Sequence, residues 1–537
     1  MRVHRLSIPD FQEYLLSDLD NSRIRTILRF VFWGTLLLLI IWMIYFTVVT
    51  ILMPYPIEYR EGAAQVMTQF LLKGQNPFSL ENQPLGTNNY GIVYSLSVLP
   101  FATLFGNSLL VHRIVTFIFI ILSCLLIFQT ISKVNSDRFF ALSGAAFIMM
   151  GLVARGGVGA YPAAMGVVLF LAGILIPFNR NFNNLALFLS AVLCVIAFYT
   201  KPYFVLSFGI VASYIFVFVS KRKGLFFCLL FGVSFIISYL LVRYIYVLYF
   251  IDTFLSNLNQ TQYDSLGYMT GQVMEFSKEF CPILILGLIL LILNVNVVYL
   301  KKVSLKSFLG CFNILSLDRP LISKPLNYLA FIFIINALTY ILVLGWNPGS
   351  NMNYIYQLLL PPLFLLLFQN IKPSTRFTLI SFSLVLINMI MFSLLRLNPG
   401  FLQQRDSREW VMLYQSMENS RYILNSPVQT SEMIRLGIPA VDSGQTEFYY
   451  AIFPYPDNKL LGPNYRVVKN DGKKYQESIH RSVINLEYDK IFLTPLLKNF
   501  FVPDDLSQYY HQTNTIIVEM PQTDQRWTVE IWDPNTK

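Results

Sequence analysis

The residues with the clearest chemical potential lie in PYPIEYREG (54–62), directly after the first long apolar run. Glu58 and Glu61 are three residues apart, a spacing that places two side chains on one face of a helix. A positioned carboxylate can take the proton of an attacking hydroxyl, which typically contributes about 10²–10⁴-fold in rate. Glu61 has a second interpretation, because negative charge stabilises the N-terminus of the helical pattern that runs through residue 73. Both roles stay open for this acid.

Three basic residues are candidates for holding an anion. Arg155 and Lys201 fall at the ends of apolar runs, and Arg243 lies inside the run 225–250, about two turns from its outer end. A fixed cation stabilises the charge that develops on a phosphate leaving group. Snorkelling to the membrane interface would equally explain Arg155 and Lys201. An ion pair within the bundle would equally explain Arg243.

A set of amides and phenols suits a hydroxyl-rich ligand, because these groups donate and accept hydrogen bonds without a charge to desolvate. The candidates are Asn89, Tyr90, Asn351, Asn353 and Tyr354. Turn formation explains the asparagines of the stretch NPGSNMNY equally well. Aromatic residues near a membrane interface are often belt residues.

The composition decides which class of protein carries these residues. The chain has 537 residues, of which 55% are hydrophobic and 13% charged. This excludes an ordinary soluble enzyme and predicts a polytopic membrane protein. The net charge of +10 does not predict a nucleic-acid partner, because the basic residues lie in short loops between apolar runs. The five cysteines form no CxxC pair, so neither a zinc site nor a disulfide framework is expected.

The apolar windows predict about eleven membrane-spanning helices, several short enough to require tilt or local thinning of the bilayer. They lie near residues 30–52, 109–131, 139–154, 162–178, 185–200, 203–220, 225–250, 281–300, 326–345, 354–370 and 376–396. The segment 88–106 is also apolar but is interrupted by Gly91 and Pro100. Counting it as a span would move basic loops such as KRKG (221–224) outside the cytoplasm, against the positive-inside rule. We therefore expect it to be a juxtamembrane or re-entrant segment.

This topology divides the chain into three parts. Residues 1–29 are expected to be a cytoplasmic segment, and 30–396 a transmembrane domain whose first external loop is 53–108. The tail, 397–537, is richer in charge and contains short β-rich runs, so it is expected to form a small extracytoplasmic α/β domain. Within the tail, TSEMIRLG predicts a helix that ends at Gly437, and NDGKK predicts a turn.

Five stretches resemble, in chain order, motifs of the polytopic C-type (GT-C) glycosyltransferases, in particular the bacterial branch related to the protein O-mannosyltransferases and the aminoarabinose transferase of lipid A. They are IEYREGAAQVMTQFLLKGQNPF, NNYGIVYSLSVLPFATLFGNSLLVHR, VARGGVGAYPAAMGVVLFLAG, AFYTKPYFVL and NPGSNMNYIYQLLLP. The resemblance spans roughly residues 50–370. Three positions depart from it: Arg60 precedes Glu61 where the family often has Asp, ARGGVGAYP has no carboxylate, and Gln357 replaces an acid.

The resemblance implies a GT-C-like fold and an inverting glycosyltransferase of the bacterial inner membrane. Such an enzyme moves a sugar from a polyprenyl-phosphate or pyrophosphate carrier to a glycan, lipid or protein acceptor outside the cytoplasm. It implies that Glu61, with Glu58 as the nearest second acid, deprotonates the acceptor, and that Arg155, Lys201 and Arg243 hold the phosphate. The asparagine-rich turn and the segment 88–106 would wall the sugar pocket, and the tail would cover the site or select the acceptor.

A divalent cation, Mg²⁺ or Mn²⁺, stays an open question. Only two carboxylates remain near the site implied by the resemblance, whereas such ions usually take several oxygen ligands.

Three other classes of protein are possible interpretations of the sequence. A transporter or flippase for lipid-linked glycans predicts inverted repeats and charges at mid-membrane, a polymerase or ligase predicts its large loop later in the bundle, and an envelope scaffold has no need for external acids and bases.

Overall fold

The computed structural model describes most of the chain. The described residues are 22–88, 90–154, 158–255, 265–295, 318–322, 326–344, 355–369, 371, 376–397, 407–446, 462–494, 502–503, 505–520 and 525–535. Two regions follow one another in these residues: a long series of apolar helices, and a tail in which a small sheet packs with shorter helices.

Thirteen helices of twelve or more residues precede the tail in the described residues. They are α1 (Ser22–Ile51), α2 (Glu61–Leu72), α3 (Val93–Phe105), α4 (Leu109–Val134), α5 (Arg138–Ala154), α6 (Ala163–Asn179), α7 (Asn184–Thr200), α8 (Pro202–Val219), α9 (Lys221–Ile245), α10 (Ser265–Val295), α11 (Tyr328–Leu342), α12 (Ile355–Gln369) and α13 (Arg376–Arg396). Each predicted span overlaps one of these helices. By length and composition, α1, α4, α8, α9 and α13 can each cross a membrane. The chain is therefore a multi-pass membrane protein, and the number of crossings stays a prediction.

Helix α3 covers most of the segment whose topology was ambiguous. Its 13 residues, at a rise of about 1.5 Å each, measure about 20 Å, whereas a bilayer core is about 30 Å thick. The helix ends at Gly106, whose φ of +84° lies in the region that favours glycine. Ser108 then caps α4, since its side chain accepts a hydrogen bond from Val111 N. Whether this segment crosses the membrane stays a prediction.

Helix α10 begins at Ser265, well before the predicted span at 281–300. A bend at Phe280 (φ −117°, ψ 19°), two residues before Pro282, interrupts this helix. Before the bend, the polar residue Gln272 is buried, and its side-chain oxygen accepts a hydrogen bond from Tyr340 Oη at 3.0 Å.

The end of the bundle where α4 finishes gathers loops that the positive-inside rule assigns to the cytoplasm. Lys133 Nζ donates to Asn179 O at 2.9 Å, joining the C-terminal ends of α4 and α6. Asn135 Nδ2 donates to Ile371 O at 3.0 Å, which brings in the connection between α12 and α13. The predicted cytoplasmic loops at these three places therefore lie at one end.

The tail contains a four-stranded sheet and three helices in the described residues. The helices are α14 (Arg408–Gln415), α15 (Thr430–Leu436) and α16 (Gly462–Ile484), and the strands are β1 (Ile423–Leu424), β2 (Lys490–Leu493), β3 (Tyr510–Met520) and β4 (Gln525–Pro534). The strand order is β1-β2-β4-β3. Strand β1 pairs parallel to β2, and β4 pairs antiparallel to β2 and β3.

The tail confirms one local prediction and corrects another. Helix α15 ends at Gly437, in the left-handed conformation that the sequence predicts. The stretch NDGKK does not form a turn, because it lies within α16. An internal glycine costs a helix about 1 kcal/mol, and here the buried side chains of Ile479 and Val483 pack in the core of the tail. Tertiary packing outweighs the local turn signal.

The tail packs on the loop that follows α1. Tyr55 stacks on Trp410 of α14, with ring centroids 5.3 Å apart, and Tyr59 lies against Trp527 of β4 at 5.1 Å. At Gly62 an added Cβ would lie 2.6 Å from Thr430 Cβ, so the start of α2 approaches α15 as closely as a glycine permits. The tail and the first loop therefore lie at the same end of the bundle.

Candidate active site

Glu61 is fully buried and accepts four hydrogen bonds within the protein. Arg113 Nε donates to its Oε1 at 2.9 Å and Arg113 Nη2 to its Oε2 at 2.7 Å. The backbone N–H groups of Ile57 and Ala160 each donate at 2.8 Å, one to each carboxylate oxygen. Because a carboxylate offers about four acceptor positions, all those of Glu61 are occupied.

Arg113, in the first turn of α4, is also fully buried. Besides Glu61, its guanidinium donates to Thr50 O, Met53 O and Tyr55 O at 3.3, 2.5 and 2.7 Å. This ion pair, the Glu61–Arg113 clamp, ties the end of α1 and the first loop to the starts of α2 and α4. Breaking a buried ion pair typically costs about 3–5 kcal/mol, so the clamp fixes the path of the first loop.

Glu58 is nearly inaccessible as well, at 3% exposure, but its bonding differs. Its carboxylate accepts from Arg60 N at 2.9 Å and from Arg60 Nε at 2.5 Å. These two bonds leave about half of its acceptor positions available. Burial raises the pKa of the Glu58 carboxyl above its ordinary value, and the nearby charge of Arg60 opposes that rise.

Arg60 connects Glu58 to the segment before α3. Its Nη1 donates to Tyr90 Oη at 2.8 Å, and its side chain is 26% exposed. Tyr90 is also the partner of Lys201, whose Nζ lies 4.6 Å from the centroid of the Tyr90 ring in a cation–π contact. Glu58, Arg60, Tyr90 and Lys201 thus form one group of side chains, which we call the Glu58 cluster.

Lys201 occupies the turn between α7 and α8 and is half-buried. Burial and, to a smaller extent, the charge of Arg60 lower the pKa of Lys201, the charge of Glu58 opposes them, and the net pKa is about 7. The three charged groups are therefore close enough to influence one another. A second ring, that of Tyr203, has its centroid 6.0 Å from Lys201 Nζ.

A close backbone contact brings Tyr90 to Lys201. Gly91 N donates to Thr200 O at 3.2 Å, and a Cβ at Gly91 would lie only 1.5 Å from Tyr199 O. Glycine is therefore required at this crossing of the two segments. Asn88 Oδ1 accepts from Tyr90 N at 2.9 Å and fixes the turn that precedes the glycine.

Sequence reasoning missed several residues that the structure brings to this region. Arg60 was treated only as a departure from the family pattern, although its spacing of two from Glu58 permits a local ion pair. The sequence carries no signal for the pairing of Arg113 with Glu61, which are 52 residues apart. Tyr161 is buried next to Ala160, and burial together with the charge of Glu58 raises the pKa of its phenol.

Arg243 lies nearer the end of its helix than the two turns that the apolar run predicts. It is exposed in the last turn of α9, which ends at Ile245 rather than continuing to residue 250. Asn76 Nδ2 donates to Ile245 O at 2.7 Å, so the first loop satisfies a terminal carbonyl of this helix. The residues that follow are apolar because they pack against that loop. A role of Arg243 in binding phosphate stays a prediction.

Five predicted site residues lie outside the described residues: Asn89, Arg155, Asn351, Asn353 and Tyr354. The described end of the last family-like stretch does approach the Glu58 cluster. Gln357, at the start of α12, accepts a hydrogen bond from Tyr203 Oη. This bond brings the helix that follows the asparagine-rich turn to the neighbour of Lys201.

The donor set at this site does not fit a divalent cation. Glu61 has no acceptor position left, and the remaining carboxylate, Glu58, lies beside the cations Arg60 and Lys201. Across the part of the chain that the structure describes, no three Asp, Glu, His or Cys side chains are grouped as metal ligands. We therefore derive no step through a metal.

Comparison with known proteins gives one informative match. No protein-family model matches the sequence, and no curated protein matches it. Among solved structures, the crystal structure of ArnT from Cupriavidus metallidurans bound to undecaprenyl phosphate superimposes with a TM-score of 0.54. The fold is GT-C-like. The match covers 93% of this chain and 98% of ArnT at 10% sequence identity, so it establishes the fold over nearly the whole length.

Proposed function

We propose that this protein is an inverting glycosyltransferase that takes a sugar from a polyprenyl-phosphate carrier and transfers it to an acceptor outside the cytoplasm. The observation that carries the proposal is the Glu58 cluster, in which a carboxylate with free acceptor positions lies beside two cations. The cluster belongs to a GT-C-like fold, and the ArnT structure of that fold was determined with undecaprenyl phosphate bound. This supports a lipid-linked phosphate as the donor's carrier.

In the proposed reaction the acceptor hydroxyl oxygen attacks the anomeric carbon while the bond from that carbon to the carrier phosphate breaks. The hydroxyl proton passes to Glu58, and the electron pair of the broken bond stays on the phosphate oxygen. A carboxylate whose pKa is raised by burial is a stronger base than an exposed one. The single displacement inverts the anomeric configuration, so one base is sufficient.

Lys201 and Arg60 are the cations available to the leaving phosphate. Positive charge fixed in a partly buried site stabilises the negative charge that grows on the phosphate in the transition state. Arg60 can offer two parallel hydrogen bonds, whereas Lys201 acts as a point charge. Arg155 and Arg243 keep the phosphate-binding roles implied by the resemblance, as proposals. The same holds for the sugar contacts of Asn89, Tyr90, Asn351, Asn353 and Tyr354.

The sequence interpretation named Glu61 as the main base and Glu58 as the second acid. The geometry favours the reverse, with Glu58 as the base. Glu61 makes four hydrogen bonds and can accept a proton only by giving up its bonds to Arg113. Glu58 has acceptor positions to spare. We therefore assign the proton transfer to Glu58 and treat Glu61 as a positioning residue that holds the first loop through Ile57 N.

The orientation follows from the positive-inside rule. The end that holds Lys133 is assigned to the cytoplasm, and the end that holds the Glu58 cluster and the tail to the outer face of the bacterial inner membrane. The acceptor would be a glycan, lipid or protein of the cell envelope that approaches from the side of the tail.

The test uses the full-length chain in proteoliposomes, with polyprenyl-phosphate-linked sugars extracted from bacterial membranes as donors and the envelope fraction of the same cells as acceptor. Release of free polyprenyl phosphate, together with transfer of labelled sugar to a second molecule, is the readout. Glu58→Gln should lower the rate about 10²–10⁴-fold. The matched control, Glu81→Gln, changes an exposed acid of the same loop and should keep the wild-type rate. Near-normal transfer by Glu58→Gln would contradict the proposal.

A further inference from the structure

The tail contains a cavity that the proposed reaction does not use. Its volume is about 250 Å³, and it lies between the start of β1, the segment 439–441 and one face of α16. The side chains that define its chemistry are Arg421, Tyr422, Tyr475, Ser478 and Ser482. Pockets for drug-sized ligands typically begin at about 300 Å³, so this cavity suits a smaller unit.

Aromatic rings form one wall of the cavity. The ring of Tyr422 is 5.7 Å from that of Tyr488, with an angle of 34° between their planes. Tyr488 is buried, whereas Tyr422 is 53% exposed and presents its ring to the outside. An exposed ring of this kind can cover the C–H face of a sugar, while its hydroxyl stays hydrated or binds a partner.

Polar groups around the rings are available to a ligand. Among the described residues, neither the Arg421 guanidinium nor the Tyr422 hydroxyl has a protein partner. Ser478 Oγ donates to Tyr475 O at 2.7 Å, which leaves its oxygen free to accept. Ser482, one turn further along the same face of α16, already hydrogen-bonds the Glu487 carboxylate, so Ser478 is the serine of this face that is open to a ligand. Hydroxyls and a guanidinium around an aromatic ring are suited to a ligand rich in hydroxyl groups.

The cavity lies close to the Glu58 cluster along the chain. Val441 lines it, and Gly444 is three residues further on, a path of at most about 11 Å. A Cβ at Gly444 would be 2.9 Å from Tyr59 O, so this part of the tail touches the residue between Glu58 and Arg60. An oligosaccharide held in the cavity could therefore extend toward the first loop.

We propose that this cavity binds one saccharide unit of the acceptor, at a distance from the unit that receives the new sugar. The inference rests on the proposed function, because a remote acceptor site has a purpose only in a transferase. Tyr422 stacks on the sugar ring, and Arg421 with Ser478 contacts its hydroxyl or carboxylate substituents. The tail thereby helps to select the acceptor.

The experiment measures saccharide binding to the full-length chain in nanodiscs by saturation-transfer NMR. The probes are chitotriose, which is neutral, and trigalacturonate, which is acidic. We expect saturation transfer to at least one probe and a drop of about fivefold or more with Tyr422→Ala. The control Ile517→Ala removes an apolar side chain of the tail that is similarly exposed, at 51%, and should bind like wild type. No transfer to either probe, or equal transfer with Tyr422→Ala, would overturn the inference.

Glu58→Gln separates this inference from the proposed function. That variant should bind the saccharide normally, since Glu58 does not line the cavity. If wild-type protein transfers sugar but binds neither probe, the cavity inference fails and the enzymatic proposal stands. If it binds a probe yet catalyses no transfer, the enzymatic proposal fails.

Discussion

The acids Glu58 and Glu61 are three residues apart, and each pairs with an arginine, but their carboxylates differ in how many hydrogen-bond acceptor positions are still free. Glu58 and Glu61 are both almost inaccessible, at 3% and 0% exposure. Glu61 pairs with the fully buried Arg113 and has every acceptor position occupied, whereas Glu58 pairs with Arg60, which is 26% exposed, and keeps about half of its positions. Burial alone therefore does not distinguish a structural acid from a chemical one. Under the proposed function, the number of hydrogen bonds that each acid already makes is what separates the two roles.

The two pairs also differ in what holds them. Glu58 and Arg60 are two residues apart, so their bond is local to one turn. Glu61 and Arg113 are 52 residues apart, so their bond exists only when α2 and α4 pack together. The first loop therefore holds a long-range pair, Glu61–Arg113, beside a local pair, Glu58–Arg60, which we call the open pair because Glu58 keeps about half of its acceptor positions.

The largest expected effect comes from breaking the clamp. Arg113→Met leaves the Glu61 carboxylate buried without its counter-ion, which typically costs about 3–5 kcal/mol. We expect a large loss of folded protein, measured as thermal stability and monodispersity in detergent. Glu58→Gln should change stability much less, because Arg60 is partly exposed and can be hydrated.

A double variant sharpens this contrast. Replacing both partners, as in Glu61→Gln with Arg113→Met, removes the unpaired charge and should recover part of the stability lost by Arg113→Met alone. A double variant no more stable than Arg113→Met would show that the lost bonds to the backbone carbonyls, rather than the charge pair, hold the first loop.

A smaller effect is expected when Lys201 is replaced. A hydrogen bond to a charged group typically contributes about 1.5–3 kcal/mol, so Lys201→Ala should weaken binding of undecaprenyl phosphate by about 10–100-fold. Native mass spectrometry of the purified chain with this lipid measures the change. The control is Lys133→Ala. Lys133 lies in the last turn of α4, at the other end of this helix from Arg113 and the first loop, so this variant should bind the lipid normally. Unchanged binding by Lys201→Ala would favour simple snorkelling of this lysine.

The rate should also depend on pH through both members of the Glu58 cluster that titrate. Lys201, with its pKa lowered to about 7, loses its charge as the pH rises through 7, so kcat/KM should fall above that value. On the acid side, the raised pKa of Glu58 means that the base becomes protonated at a higher pH than an exposed glutamate would. Lys201→Arg keeps its charge and should remove the decline above pH 7. A decline that persists in Lys201→Arg would assign it to another group.

Sequence reasoning could find the helices and named three residues that the structure brings together, Glu58, Tyr90 and Lys201, but it could not find the hydrogen bonds that distinguish Glu58 from Glu61. The apolar runs are strong, local signals, and a helix lies at each predicted span. The bonds of Glu61 depend on Arg113 and on Ala160 N, contacts that no spacing rule reveals. Arg243 was placed two turns from the end of its span because the run 225–250 stays apolar beyond Ile245, where the helix is interrupted and the chain contacts the first loop.

The smallest expected effect tests how the open pair is positioned. Tyr90→Phe removes the hydrogen bond from Arg60 Nη1 but keeps the ring beneath Lys201 Nζ. A net hydrogen bond is worth about 0.5–1.5 kcal/mol, so kcat should fall about two- to tenfold. Binding of undecaprenyl phosphate should change little, because Lys201 keeps its aromatic contact. Tyr90→Ala removes the ring as well and should weaken binding of the lipid. Equal lipid binding by the two variants would mean that the Tyr90 ring does not position Lys201, and that only its hydroxyl serves the open pair.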